Sequence, residues 1–128
     1  MLITIPGRPI PAVRMTQKSK WSDAAKRYLG YKANIGYIAK QQYKVPTDKP
    51  VSIKVMVYLY GKTTPMGNDG DVDNYLKSAL DGLNKIVFID DRQVVSASVV
   101  KNPCREDEQR MEIYIQEGII TILALAVD

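Results

Sequence analysis

The chain has 128 residues, 45% hydrophobic and 25% charged, with 18 Lys+Arg against 14 Asp+Glu, one cysteine and no histidine. That length fits one domain, residues 1–128, with a core of its own. Lacking histidine, the chain has no Ser-His-Asp or Cys-His nucleophile system and no N/S-type zinc site, and one cysteine excludes an intrachain disulfide. Oxygen-ligand chemistry remains, which suits hard cations such as Mg²⁺ or Mn²⁺.

In chain order, Leu2–Ile5 alternates like a short strand, and Pro6–Pro11 breaks regular structure before a basic loop over Val13–Lys20. Ser22 or Asp23 can cap a first helix carrying Ala24, Ala25, Tyr28, Leu29, Ile35, Ile38 and Ala39 at helical spacing, and Pro46 and Pro50 close that region. Val51–Tyr60 is the clearest strand, with Val51, Ile53, Val55, Val57 and Leu59 on one face. After a polar loop over Gly61–Gly70, a second helix is predicted to start at Asp71–Asp73. Its apolar stripe is Val72, Leu76, Ala79, Leu80 and Leu83, and Gly82 and Asn84 mark its end. Val94–Lys101 reads as a strand with Met111–Gln116 as its hairpin partner, and the apolar tail Ile119–Val127 is expected to be buried, a subunit contact being one way to do so. The fold class is α+β, a mostly antiparallel sheet with two main helices on one face. No charged-then-apolar leader opens the chain and no apolar run is long enough to span a bilayer, which predicts a cytoplasmic protein with no membrane partner.

Charge is split along the chain. Residues 1–68 carry 12 Lys/Arg and 2 Asp, net +10, and residues 69–128 carry 6 Lys/Arg and 12 Asp/Glu, net −6. The first half suits a polyanion: Arg8, Arg14, Lys18, Lys20, Lys26, Arg27 and Lys32 are interleaved with Trp21, Tyr28 and Tyr31, a pattern of DNA contact. The bland alternative makes these the solvated face of a helix, with Tyr28 in the core.

The second half packs Asp69, Asp71, Asp73, Asp81, Asp90 and Asp91 into 23 residues. Acids this dense repel one another unless a cation or proton sits among them. Two residues apart inside a helix, Asp71 and Asp73 would diverge by about 200°. At a loop-to-helix junction both can turn toward one point at the positive end of the dipole. Lys77 follows Asp73 by four and shares its face. Asp91 is the expected third carboxylate, with Asp90 as the competing choice, whereas Asp69 and Asp81 are assigned to loop and helix surface. Singly, each acid reads as a cap, a first-turn acid or a turn residue. Together, without histidine, they read as a metal site. Two motifs fail: an EF-hand loop from Asp69 would have Asn74 for its glycine and Leu80 for its bidentate glutamate, and an Asp-x-Asp phosphatase nucleophile would need an apolar strand before it.

The run Asp71-Val-Asp73-Asn74-Tyr75-Leu76-Lys77, then Leu80-Asp81-Gly82-Leu83, then Asp90-Asp91-Arg92-Gln93-Val94, resembles the RusA family of Holliday-junction resolvases. The resemblance implies a Mg²⁺-dependent homodimeric endonuclease, associated with phage or prophage, that resolves four-way DNA by paired nicking. Mn²⁺ would substitute, and no small-molecule cofactor is implied. It also implies Asp71, Asp73 and Asp91 as metal-binding catalytic carboxylates and Lys77 as the essential cation. Two alternatives stay open: a metal-dependent nuclease of flap or other branched DNA, and a non-catalytic DNA-binding module.

Overall fold

The computed structural model describes residues 1–61 and 70–118. The expectations for the polar loop, for Asp69 and for the tail at 119–128 fall outside the described residues. Strand β1 (Leu2–Pro6) leads to helix α1 (Asp23–Lys40), strand β2 (Val51–Leu59), helix α2 (Val72–Leu83), strand β3 (Val94–Pro103) and strand β4 (Arg110–Glu117). Short 3-10 turns at Asp91–Gln93 and Glu106–Glu108 precede β3 and β4. Among the described residues the sheet has four strands in the order β1-β4-β2-β3, with β1–β4 and β4–β2 antiparallel and β2–β3 parallel. The α+β, mostly antiparallel architecture is thus present.

The period-two pattern of β2 puts Val51, Ile53, Val55, Val57 and Leu59 on one face, each no more than 2% exposed. They meet Ile3 and Ile5 of β1, Met111, Ile113 and Ile115 of β4, and the inner faces of both helices in one core. Full burial of such a side chain stabilises by about 1.5–3 kcal/mol. The stripe on α2 is rotated from the expected one. Tyr75, Ser78, Ala79, Gly82 and Leu83 are buried, whereas Leu76 and Leu80 are half-buried and Val72 is exposed. The large ring of Tyr75 is 1% exposed and belongs to the inner face, and Val72 is left outside it.

The expected β3–β4 hairpin does not form. β3 lies parallel to β2, from Val51↔Val94 to Leu59↔Pro103, while β4 sits on the other side of β2. The connection is clipped over the end of β2 by a hydrogen bond from the Cys104 N–H to the Leu59 carbonyl, 3.0 Å. Burial explains the arrangement. β4 carries the buried row Met111, Ile113 and Ile115 and takes an interior position, whereas β3 has no buried residue and takes the edge.

The helices touch through glycine. A Cβ on Gly82 would lie 2.7 Å from Ile35 Cβ and Cγ2, and one on Gly36 would lie 3.3 Å from the Gly82 carbonyl oxygen. Gly82 therefore sits inside the last turn of α2 as a packing residue, and Asn84 is the C-cap. Among the described residues no helix is long and apolar enough to cross a membrane.

Candidate active site

Helix α2 begins where the chain is pinned from three sides. Gly70 has φ +124°, and a Cβ there would lie 3.0 Å from the Pro11 ring and 3.2 Å from the Tyr75 ring, so only glycine fits. Lys101 of β3 donates its Nζ to the Gly70 carbonyl at 3.0 Å. The Ala12 N–H donates to the Asn74 carbonyl at 2.9 Å, binding the proline-rich segment to the first turn of α2. Neither Gly70 nor Lys101 stood out in the sequence. A lysine on a half-buried edge strand reads as ordinary edge protection.

Asp71 occupies the N-cap position with extended dihedrals, φ −78° and ψ 151°, yet its carboxylate makes no capping hydrogen bond. Asp71 is thus the N-cap by position, as the bland reading has it, but its side chain does not make the usual capping bond. Asp73 follows in the first turn, where the helix dipole favours negative charge. Both residues are exposed.

The tandem acids at 90 and 91 divide their labour. Asp90 caps the 3-10 turn: its Oδ1 accepts from the Arg92 N–H at 2.9 Å and from Arg92 Nε at 3.3 Å. The Arg92 backbone N–H, outweighing mild desolvation, holds the Asp90 carboxyl below its ordinary value. Gln93 completes a capping box and spends every valence of its amide. Its Oε1 accepts from the Ile89 and Asp90 N–H groups at 2.8 and 2.9 Å, and its Nε2 donates to the Thr47 and Lys49 carbonyls at 2.8 and 2.9 Å. Asp91 lies in the 3-10 turn just before β3, exposed. Its carboxylate accepts no hydrogen bond among the described residues.

Lys77 is where helical spacing predicts, but its partner is Asp81, with Nζ 3.2 Å from Oδ2. The Tyr28 hydroxyl of α1 donates a short hydrogen bond to that same oxygen. Asp81, expected on the helix surface, is thus a bridge between helices, its side chain 28% exposed. Burial first, and then the Asp81 carboxylate, push the Tyr28 phenol well above its ordinary value, so it remains a donor at any physiological pH. The motif Leu80-Asp81-Gly82-Leu83 carried the signal. Asp81 lies four residues beyond Lys77, but its partner Tyr28 lies 53 residues away in sequence.

The cationic residues form two groups. Arg14, Lys18 and Lys20 are exposed in the loop before α1, where Thr16 and Ser19 bond reciprocally to each other. Lys20 lies 5.5 Å from the ring centre of Trp21, which is 72% exposed. Lys26 and Arg27 are exposed on α1. Arg8 is tied down, its Nη1 donating to the Tyr60 carbonyl at 2.8 Å and to Gln109 Oε1 at 2.6 Å. Tyr28 and Tyr31, expected among the DNA-facing aromatics, are instead buried at 2% and 9% exposure. Of the three, Trp21 alone is exposed.

The donors available are carboxylate oxygens, the chemistry a hard divalent cation prefers. Asp71 is the N-cap of α2 and Asp73 lies in its first turn, and Asp91 stands on a separate element. Among the described residues no three acidic, cysteine or histidine groups are gathered as a ready ligand set.

The family model for endodeoxyribonuclease RusA matches residues 6–116. The uncharacterized protein YqaN of Bacillus subtilis (strain 168) is 45% identical over 47 residues, 37% of this chain. The match spans 32% of that relative's own length. With the family model covering both helices and most of the sheet, the chain belongs to the endodeoxyribonuclease RusA family.

Proposed function

We propose that the protein is a metal-dependent endonuclease that resolves four-way DNA junctions, cutting by attack of water on the scissile phosphate. The observation that carries this reading is the carboxylate of Asp71, seated at a helix N-cap and left out of the cap. A side chain in that position is worth about 1 kcal/mol to a helix when it caps. Leaving that contribution unused makes sense if the group has another task.

In this reading Asp71, Asp73 and Asp91 hold Mg²⁺, with Mn²⁺ a substitute, through oxygen donors alone. The cation, when bound, would lower the pKa of a water molecule and offset charge on the phosphate. The chain's own residues do the rest. Gly70, pinned by Lys101, fixes where Asp71 leaves the loop. Gln93 fixes the turn that carries Asp91, while Asp90 caps it and stays out of the ligand set. Lys77 supplies positive charge for the phosphate undergoing attack. Its pair with Asp81 is an exposed one, the lysine side chain 61% exposed. Such pairs contribute about 0–1 kcal/mol, so Lys77 exchanges Asp81 for a phosphate oxygen at little cost. Arg8, Arg14, Lys18, Lys20, Lys26 and Arg27 neutralise backbone phosphates. A homodimer would put two such sites on opposed strands for paired nicking.

Labelled four-way junction, fork, flap and duplex DNA, each incubated with Mg²⁺ and with EDTA, tests the reading. Symmetric cuts in the junction that need the metal and vanish in Asp71→Asn support it. Equal cutting of flap and junction makes the protein a general branched-DNA nuclease. No cutting of any substrate, with binding intact, makes it a DNA-binding module. Sedimentation of the full chain with and without junction measures the subunit count.

A further inference from the structure

A small cavity opens beside the first turn of α2, between the proline-rich segment and the start of α1. Its volume is about 160 Å³, and Pro9, Pro11, Ala24 and Tyr75 line it together with the guanidinium-bearing Arg8 and Arg27. Pockets for drug-sized ligands run to roughly 300–1,000 Å³, so this one has room for a single ring system. Its walls are apolar and two cations sit on its lining. Its frame is rigid: the proline rings fix their own backbone, the Ala12 N–H is bonded to Asn74, and the Pro11 ring is packed against Gly70. Arg8 is anchored to Tyr60 and Gln109, whereas Arg27 makes no hydrogen bond or ion pair among the described residues. Apolar walls with a cationic lining fit one ligand chemistry, a flat heteroaromatic ring joined to a phosphate.

We propose that this cavity is a nucleotide subsite, which takes one unstacked base of the DNA substrate while Arg8 and Arg27 hold its phosphate. The proposal rests on the nuclease reading for the identity of the substrate, since the same chemistry would admit a free nucleotide. Its position favours DNA. Tyr75 lines the cavity and lies in the same helical turn as Asp73, so a base seated there belongs to a nucleotide close to the cut. The exposed cations Arg14, Lys18 and Lys20 continue from the cavity's rim at Val13 along the chain. Stacking and enclosure of one base are worth about 1–3 kcal/mol by substitution, which corresponds to roughly a five- to 150-fold change in affinity.

The test uses the full chain in EDTA with four-way junctions that carry 2-aminopurine at each position around the crossover in turn. Wild-type protein is expected to raise the fluorescence at one position, reporting an unstacked base. Ala24→Leu, which fills the cavity, and Arg27→Ala are each expected to abolish that rise and to weaken junction binding about tenfold, with circular dichroism unchanged. Val45→Ser, at an exposed residue outside the cavity lining, should behave as wild type. A protein that cuts junctions in Mg²⁺ but gives no rise at any position, or keeps its rise in both variants, overturns the subsite and leaves the nuclease reading standing. A rise lost in Ala24→Leu, in a protein that cuts no DNA, keeps the subsite and removes the nuclease reading. Displacement of the signal by a deoxynucleoside monophosphate at concentrations matching junction DNA would make the pocket a free-nucleotide site, and overturn its assignment to the substrate strand.

Discussion

The hydroxyl of Tyr28 and the ammonium of Lys77 donate to the same oxygen, Asp81 Oδ2. One carboxylate thereby ties a buried residue of the basic helix to the candidate catalytic lysine. Breaking it should register in both. Tyr28→Phe removes a hydrogen bond to a charged acceptor, worth about 1.5–3 kcal/mol, and should lower the urea midpoint accordingly. Asp81→Asn should cost a similar amount. In a double-mutant cycle the two losses should fall well short of additive, since each removes the same contact.

Gly82→Ala should destabilise although alanine is the better helix former by about 1 kcal/mol. The new methyl group would meet Ile35 Cβ and Cγ2 at 2.7 Å and the Lys32 carbonyl at 3.2 Å. Overpacking of this kind costs about 1–3 kcal/mol, so the net change in guanidinium-monitored unfolding should be a loss. Gly36→Ala, with a nearest approach of 3.3 Å, should lose less.

The two acids at 90 and 91 should separate by experiment. Asp90→Ala removes the cap of the 3-10 turn and should lower Tm while retaining cleavage in Mg²⁺. Asp91→Asn should leave Tm where it was and abolish cleavage, with junction binding in a gel-shift assay kept or strengthened. Asp71→Asn should behave like Asp91→Asn, because its carboxylate caps nothing.

Stability should fall at both ends of the pH scale, for different groups. Partial burial raises the Glu112 carboxyl, but hydrogen bonding and charge from Arg110, 2.9 Å away, outweigh this and leave it below the ordinary 4.5. A carboxyl lowered in the folded state contributes fully above pH 4.5 and loses that contribution as pH falls through its folded value. Tyr28 is raised above the ordinary 10.0, so its contribution is complete below pH 10 and fades above it. Thermal melts across pH should therefore show an acid limb that Glu112→Gln flattens by about 1 kcal/mol or less, and an alkaline limb that Tyr28→Phe flattens.

Junction affinity should fall steeply with salt, and Arg14→Ala or Lys20→Ala should each reduce the slope of log K against log salt by about one. Lys26→Ala should reduce it likewise, and an unchanged slope in that variant would place Lys26 outside the DNA footprint.

Much of this was legible in the residues themselves. The alternation of Val51 to Leu59 and the cap at Ser22 are local signals, and both elements formed where they point. The junction before α2 was legible for the same reason, since Asp71 and Asp73 lie within one turn. Pairings that depend on distant partners were not. That β4 inserts beside β2 follows from the burial of Met111, Ile113 and Ile115 against β1, a competition no window of sequence contains. Asp81 was placed on the surface because its partner lies on another helix. Gln93 was readable as part of a motif, but two of its four hydrogen bonds reach back to Thr47 and Lys49.

The contact at Gly36 and Gly82 has a mechanical side. With Ile35 packed directly on the backbone of Gly82, and Gly36 close to the Gly82 carbonyl, little in that seam can compress or slide. Force applied to the cations of α1 by a bent DNA arm would pass into α2, carrying Asp71 and Asp73 along. Helix and helix would then turn as one jaw.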